Sequence, residues 1–464
     1  MRWLAAEGSW LSRLLLQRSL AAVYLIAFLV ARNQFPALLG ERGLTPVPRF
    51  VRAVPFRRAP SLFHWRYSDR MLAVVAWTGI VVSAACVAGV PERGSLVVSM
   101  LAWALLWVLY LSIVNVGQIW YGFGWESLLL EAGFLAIFLG STSTAPPVLI
   151  LWACRWLLFR LEFGAGLIKL RGDPCWRDLT CLRFHHETQP MPNRLSRTFH
   201  HLPPSLHRVE VLANHGTQLV VPWFLFAPQP LAAGAAIVVL VTQGWLVLSG
   251  NFSWLNVLTM TLAFAALDLR GSPPALAAPG WHQVLVVAVA VLVVVLSWWP
   301  VRNMIGRRGR QAMNASFNQL HLVNTYGAFG SVTKVRHEIV IEGAATSGPD
   351  AEWREYEFKG KPGDVRRRPP QVAPYHLRLD WLMWFAALSP SYADAWFARL
   401  LHKLVEGDPR TLRLLRVNPF PDAPPAVVRA RLYRYRFTTR EERRATSAHW
   451  HRTLVGEYAG PVVG

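Results

Sequence analysis

Residues 148–170 read VLILWACRWLLFRLEFGAGLIKL. The run is apolar and long enough to cross a bilayer, which takes about 20 residues in a helix. It nevertheless carries Arg155, Arg160, Glu162 and Lys169. Arg155, Glu162 and Lys169 recur at a heptad spacing, so on a helix each lies only about 20° from the last, and together they form one stripe. A charge at the bilayer centre costs at least about 2.5–3.5 kcal/mol on insertion scales, so such groups pair with one another or face a cavity. A neighbouring apolar run, 125–140, adds Glu126 and Glu131. These six residues are the candidate intramembrane charge network. Two readings stay open for them, a polar cavity for a substrate or ion, and an internal salt-bridge network that fixes helix packing.

Working outward, further apolar runs lie at 14–31, 71–89, 96–114, 215–226, 231–249, 252–267 and 282–300. The run at 215–226 is short, so the sequence predicts eight or nine membrane helices within a domain spanning 1–310. Composition agrees: 53% of residues are hydrophobic and 16% charged, against about 25% charged in soluble domains. The 22 Trp residues suit a protein with two membrane–water interfaces. No cleavable signal peptide is evident, because Arg32 follows the first apolar run without a small-residue cleavage site. Two long polar loops, 32–70 and 171–214, interrupt the spans, and their many aromatic residues favour ordered structure.

Beyond residue 310 the pattern changes to that of a soluble α+β domain over 311–440. Segments 337–342 and 353–359 read as strands joined in a hairpin, 378–388 and 393–405 as helices, and 427–437 as a strand of period two. Asp408-Pro409 is a helix start. The polar tail, 441–464, is expected to be loose. Cys86 and Cys154 lie in apolar runs and read as packing residues. Cys175 and Cys181 share a polar loop with His185, His186 and Glu187, where a disulfide or redox pair, a metal site and a plain structural loop are all open readings. The spacing nominates no metal ligands outright. There is no dinucleotide or P-loop fingerprint, no H-E-x-x-H and no nucleophile elbow. The net charge of +21 has no nucleic-acid-binding module behind it. Most of that charge sits in loops, and only five of the 48 basic residues are Lys, an Arg bias of the kind found in GC-rich bacterial genomes.

Several blocks resemble the lipase maturation factors: IKLRGDPCWRDLTCLRFHHETQPMPN at 168–193, GNFSWLNVLTM at 250–260, FNQLHLVNTYGAFGSVTK at 317–334, WREYEFKGKPGD at 353–364, PYHLRLDWLMWFAAL at 374–388, and NPFPDAPP with YRYRF at 418–425 and 433–437. The resemblance implies a non-enzymatic membrane protein without cofactors that helps secreted lipases reach their active fold. It implies an endoplasmic reticulum membrane in a eukaryote, and the plasma membrane is expected in a bacterium. On that analogy the client-binding residues are Asn324, Tyr326, Phe329, Trp353, Tyr356, Phe358, Tyr375, Trp381 and Trp384. Trp381, Trp384 and Phe385 also read as the core face of one helix. The many-span layout looks, more distantly, like the membrane part of vitamin K-dependent carboxylases, which keeps a membrane enzyme as an alternative. The intramembrane charges keep a transporter as another, although the two halves show no repeat.

The sequence also carries a conflict. With nine spans, both long loops and the C-terminal domain share one side. That side holds eight Arg in the first loop, six in the second, and Arg302, Arg307, Arg308 and Arg310 after the last span. The positive-inside rule assigns it to the cytoplasm. The resemblance implies the lumen or exterior, where secreted clients fold.

Overall fold

The computed structural model describes residues 5–269, 277–306 and 311–463. Arg307, Arg308 and Arg310 lie outside the described residues. The N-terminal helices are α1 (Trp10–Leu38), α2 (Asp69–Ala88), α3 (Leu96–Asn115), α4 (Gly124–Ala136), α5 (Val148–Arg171), α6 (Leu182–Thr188), α7 (Pro204–His215), α8 (Leu231–Ser249), α9 (Leu255–Ala263) and α10 (Gly280–Leu296). Their ends follow local chemistry. The Ser68 and Ser95 hydroxyls accept from the amides of Met71 and Val98, capping α2 and α3. Gly89, at φ 72°, closes α2 in the left-handed conformation that a side chain disfavours.

Helices occur at every expected span, but among the described residues only five are both long and apolar enough to cross a membrane: α1, α2, α3, α8 and Gly280–Ile305, which continues α10. The rest depart for a physical reason. α4 has 13 residues, all buried except Phe134. α5 is long enough, at 24 residues, but carries the charges described above. The sixth run breaks into a π turn at Gly216–Val220 and a short helix at Val221–Phe224. α4 is covered by protein and needs no lipid-facing apolar surface, whereas the broken sixth run exposes Val220, Trp223 and Phe224. α8 and α10 also expose apolar side chains such as Val241, Val284, Val291 and Val294.

The C-terminal region forms a four-stranded antiparallel sheet in the order β2–β1–β5–β6, from β1 (Arg336–Ala344), β2 (Arg354–Glu355), β5 (Val427–Phe437) and β6 (Trp450–Val463). A second small sheet pairs β3 (Glu357–Phe358) with β4 (Leu415–Val417). The segment expected as one strand, 353–359, divides at Tyr356, whose amide donates to the Ile341 carbonyl at 2.9 Å. One half pairs with β1 and the other with β4. Helix α11 (Arg378–Leu388) has the expected bounds, while α12 (Phe397–Val405) starts later than expected, after turns at Pro390–Trp396. Asp408 caps the following turn through the Thr411 amide. The tail expected to be loose is instead ordered. After a short helix at Arg440–Thr446 it forms β6, hydrogen-bonded along β5.

A strap without regular structure, 314–334, joins the two regions by lying along α5. It comes so close that a Cβ at Gly164 would sit 2.4 Å from the Tyr326 carbonyl oxygen, and one at Gly172 would sit 2.1 Å from that of Gly330. The Asp173 amide donates to the Gly330 carbonyl at 2.8 Å. Membrane helices and sheet consequently share one continuous apolar core.

Candidate functional site

The buried charges of the membrane helices hold the C-terminal segments. Glu126 on α4 faces Arg378 at the start of α11, with Nη1 and Oε1 2.8 Å apart and both side chains fully buried. The Tyr110 hydroxyl on α3 donates to the same carboxylate. His376 Nδ1 lies 3.6 Å from it. The Arg378 guanidinium donates to the Trp120 carbonyl at 2.6 Å and stacks 3.4 Å from the centre of the Tyr121 ring. Trp125, Trp254 and Trp381 enclose His376.

Glu131, further along α4, forms a second node. It pairs with Arg160 of α5. Its Oε2 accepts from the Asn324 amide at 2.9 Å, the Asn324 side chain at 3.0 Å and the Tyr326 hydroxyl at 2.8 Å. Arg160 also donates to the Asn324 carbonyl at 2.5 Å. The carboxylate is thus satisfied by one cation and the strap, and Glu126, Glu131 and Arg160 all meet groups of the protein itself.

The heptad stripe on α5 divides. Arg155 donates to the carbonyls of Ala265 and Leu225. Glu162 accepts from Gln243 at 2.7 Å, and Lys169 donates to Asn214 and Gln218 at 2.9 and 2.8 Å. Glu162 and Lys169 both line a cavity of about 530 Å³ that His185, His186, Glu210 and Phe329 also border. Its polar floor lies under walls of Leu206, Val209, Val241 and Leu255.

Cys175 and Cys181 form a disulfide, with Cα atoms 4.8 Å apart. That removes both thiols as metal ligands. The disulfide loop is tied to the strap, because Trp176 Nε1 donates to the Phe329 carbonyl at 2.8 Å. His185 and His186 point apart. His185 packs against Phe252 and Phe329, and burial pushes its pKa down to about 3. His186 faces Phe199 and His207.

The residues nominated for client contact are mostly interior. Asn324, Tyr326, Tyr356, Phe358 and Trp381 are buried, and Phe329, Trp353, Tyr375 and Trp384 are half-buried. This corrects the expectation for the buried five, whose side chains hold the fold together and offer no surface. Trp384 donates to the Thr188 carbonyl at 3.0 Å, and Tyr375 meets Asn33. Trp381 and its neighbours are a core face.

Residues the sequence reading did not single out include His376, Arg378 and the buried set Arg336, Glu338 and Lys361. Arg336 pairs with Glu338 and donates to the carbonyls of Glu187, Gln189 and Pro190, and Lys361 Nζ lies 2.9 Å from Glu338. The signal was available: Arg336 and Glu338 are two apart on a strand and so face the same way.

Comparison with known proteins follows the same two-part plan. The family described as lipase maturation factor transmembrane domain matches residues 11–271, and the lipase maturation factor C-terminal domain matches 322–460. Lipase maturation factor 1 of Homo sapiens is 41% identical over 98% of this chain and 88% of its own length, and that of Mus musculus 40% identical over 98% and 87%. Lipase maturation factor 2 of Gallus gallus is 30% identical over 93% of this chain and 78% of its own length. No solved structure matches the chain.

Two predictions follow from the buried charges. Glu126→Gln strands the Arg378 guanidinium and should cost about 3–5 kcal/mol. Adding Arg378→Met should restore part of that loss, as read by thermal unfolding in detergent; additive losses would show that the two groups are not coupled. The second concerns pH. Burial holds His376 near 3 and His321 near 4, whereas both would take up a proton near about 6.5 in the unfolded chain. The unfolded state therefore binds more protons below that pH, and stability should fall as pH drops from about 6.5 toward 4. His321→Gln should flatten the dependence of unfolding temperature on pH.

Proposed function

The chain belongs to the lipase maturation factor family, and on that premise we propose that it is a membrane-embedded maturation factor that assists the folding or assembly of secreted lipases. The observation that carries this reading is identity of about 40% across nearly the whole chain to proteins bearing that name. The geometry of the Glu126 and Glu131 nodes agrees with a scaffold, since these buried carboxylates pair with groups of the protein itself.

Covalent chemistry and parity support one client side. Disulfides persist in oxidising compartments, so the Cys175–Cys181 loop belongs in the lumen or exterior. The C-terminal region shares its side. Arg197 and His201 bond the Thr438 carbonyl, Gln34 bonds His376 and Arg378, and Arg410 pairs with Asp69. An even number of crossings must therefore separate residue 34 from residue 376. Nine spans satisfy this, as does a count of the five long helices alone, but eight do not. We favour nine over five, because α5, at about 1.5 Å per residue, is long enough to cross and packs against α9 and α10, and α5 added alone to the five long helices would leave an odd number of crossings. The animal relatives favour the endoplasmic reticulum as the membrane.

For the client we favour the outer edge of β6. This edge strand has 14 residues, pairs only with β5 among the described residues, and exposes Leu454, Val455 and Val463. An unpaired edge with apolar side chains is suited to adding a strand from an incompletely folded partner.

Two measurements test this. A compartment-sensitive reporter at the C-terminus should report the lumen or exterior, and Cys175 and Cys181 should resist alkylation until reduced. A cytoplasmic reporter would overturn the arrangement. Leu454→Asp with Val455→Asp should lower the specific activity of a co-expressed secreted lipase several-fold, with both proteins still made. Unchanged activity per milligram would remove β6 as the contact, and unchanged activity on deleting the whole chain would remove the maturation role.

A further inference from the structure

At one end of the 530 Å³ cavity, helices α6 and α7 bring together three side chains that the charge network does not use. His207 and Glu210, three residues apart on α7, share one helix face. His186 comes from α6. Their nearest ligand atoms all lie within 4.8 Å of one another. Glu210 Oε2 is 3.1 Å from His207 Nδ1 and 3.9 Å from His186 Nε2.

The hydrogen bonding around these groups leaves an electron-rich centre. His207 Nε2 is 3.3 Å from the His200 carbonyl. A carbonyl can only accept, so the ring proton belongs on Nε2. The Nδ1 lone pair of a neutral His207 then points at a carboxylate that is itself an acceptor. Glu210 Oε1 is held by the indole of Trp245, whose Nε1 donates at 3.0 Å. His186 is 3% exposed, and neither of its ring nitrogens has a hydrogen-bond partner. Protonating His207 would reconcile that ring with Glu210 but would leave His186 unsatisfied. A cation at the centre gives His207 Nδ1, Glu210 Oε2 and His186 Nε2 one common partner.

We infer that His186, His207 and Glu210 form a binding site for a divalent cation of the kind that takes imidazole and carboxylate ligands, zinc foremost. The ligands would be His186 Nε2, His207 Nδ1 and Glu210 Oε2. The supporting contacts are those that orient metal ligands elsewhere, an imidazole N–H on a backbone carbonyl and a second donor on the ligating carboxylate. Two His and one Glu leave one tetrahedral position open. His186 and Glu210 line the cavity, so that position faces it and is available to water or to the anionic head of a molecule held between the apolar walls.

The test uses the full chain, purified in detergent through a tag without histidines, equilibrated with zinc and freed of excess by gel filtration. Elemental analysis should find about one zinc per chain. Cobalt in its place should give visible ligand-field absorption. His186→Ala and Glu210→Gln should each weaken zinc binding more than about 100-fold, and Trp245→Phe, which removes only a supporting donor, about tenfold. Monodisperse elution and an intact Cys175–Cys181 disulfide identify variants that have folded. Zinc should raise the unfolding temperature of the parent chain and not that of the ligand variants. Less than about a tenth of an equivalent in the parent chain, or zinc retention and stabilisation unchanged in folded His186→Ala, would overturn the site. Should the ligand variants not fold, an unchanged affinity in Trp245→Phe would overturn it.

Discussion

A carboxylate buried among apolar helices has to be answered by a cation, and in this chain Glu126 is answered from far along the sequence. Arg378 reaches it from the C-terminal region, with Tyr110 and His376 completing the shell. Desolvating such a pair is so costly that it adds little net stability, but neither partner can be buried without the other. Its effect is to specify position: α11 can seat on the membrane helices only where Arg378 meets Glu126. The Tyr121 ring lies against one face of the guanidinium and the Trp120 carbonyl accepts from it, so a shifted register would strand several groups at once.

Glu131 does for the strap what Glu126 does for α11. Asn324 and Tyr326 meet it through a main-chain amide, a side-chain amide and a hydroxyl. This requires the strap backbone to approach α5 closely, which explains Gly164 and Gly172 where the helix lies under the Tyr326 and Gly330 carbonyls. Arg336 makes a third tie, holding β1 to the carbonyls that follow α6. With these three ties the sheet becomes an extension of the membrane helices, and an edge such as β6 is held in a fixed position relative to them.

Much of this architecture was legible because it rests on local period. The apolar runs located the helices, and the bounds of α11 and β5 fall where the sequence placed them. What escaped was long-range. The six intramembrane charges were identified, but the cation for Glu126 lies in a segment that reads as an ordinary amphipathic helix start. β6 escaped because Gly456, Gly460 and Pro461 argue against a strand, yet an edge strand tolerates residues a central one cannot. The client residues were misplaced for another reason. The aromatic blocks that carry the family resemblance are distinctive largely because Tyr326, Phe358 and Trp381 must fit a crowded interior. The ligand set His186, His207 and Glu210 was hidden by its spacing, since it draws on two helices that only the fold brings together.

The basic loops remain the strongest pull toward the opposite orientation, and the structure shows why a charge count does not decide it. Seven Arg of the first loop, at 42, 49, 52, 57, 58, 66 and 70, are exposed, so internal pairing does not cancel them. Phe56 and Trp65 stand exposed among them, the mixture of aromatic and basic side chains that suits lipid headgroups on either face. The rule treats a loop as a free chain whose own charge selects a side. This loop is clamped through Asp69 to Arg410 and, at the end of α1, through Gln34 to the backbone around His376 and Arg378. Its side is therefore tied to that of the folded assembly, in which the strap joins the C-terminal sheet to the disulfide loop, so whatever fixes the side of Cys175 and Cys181 fixes that of the arginines.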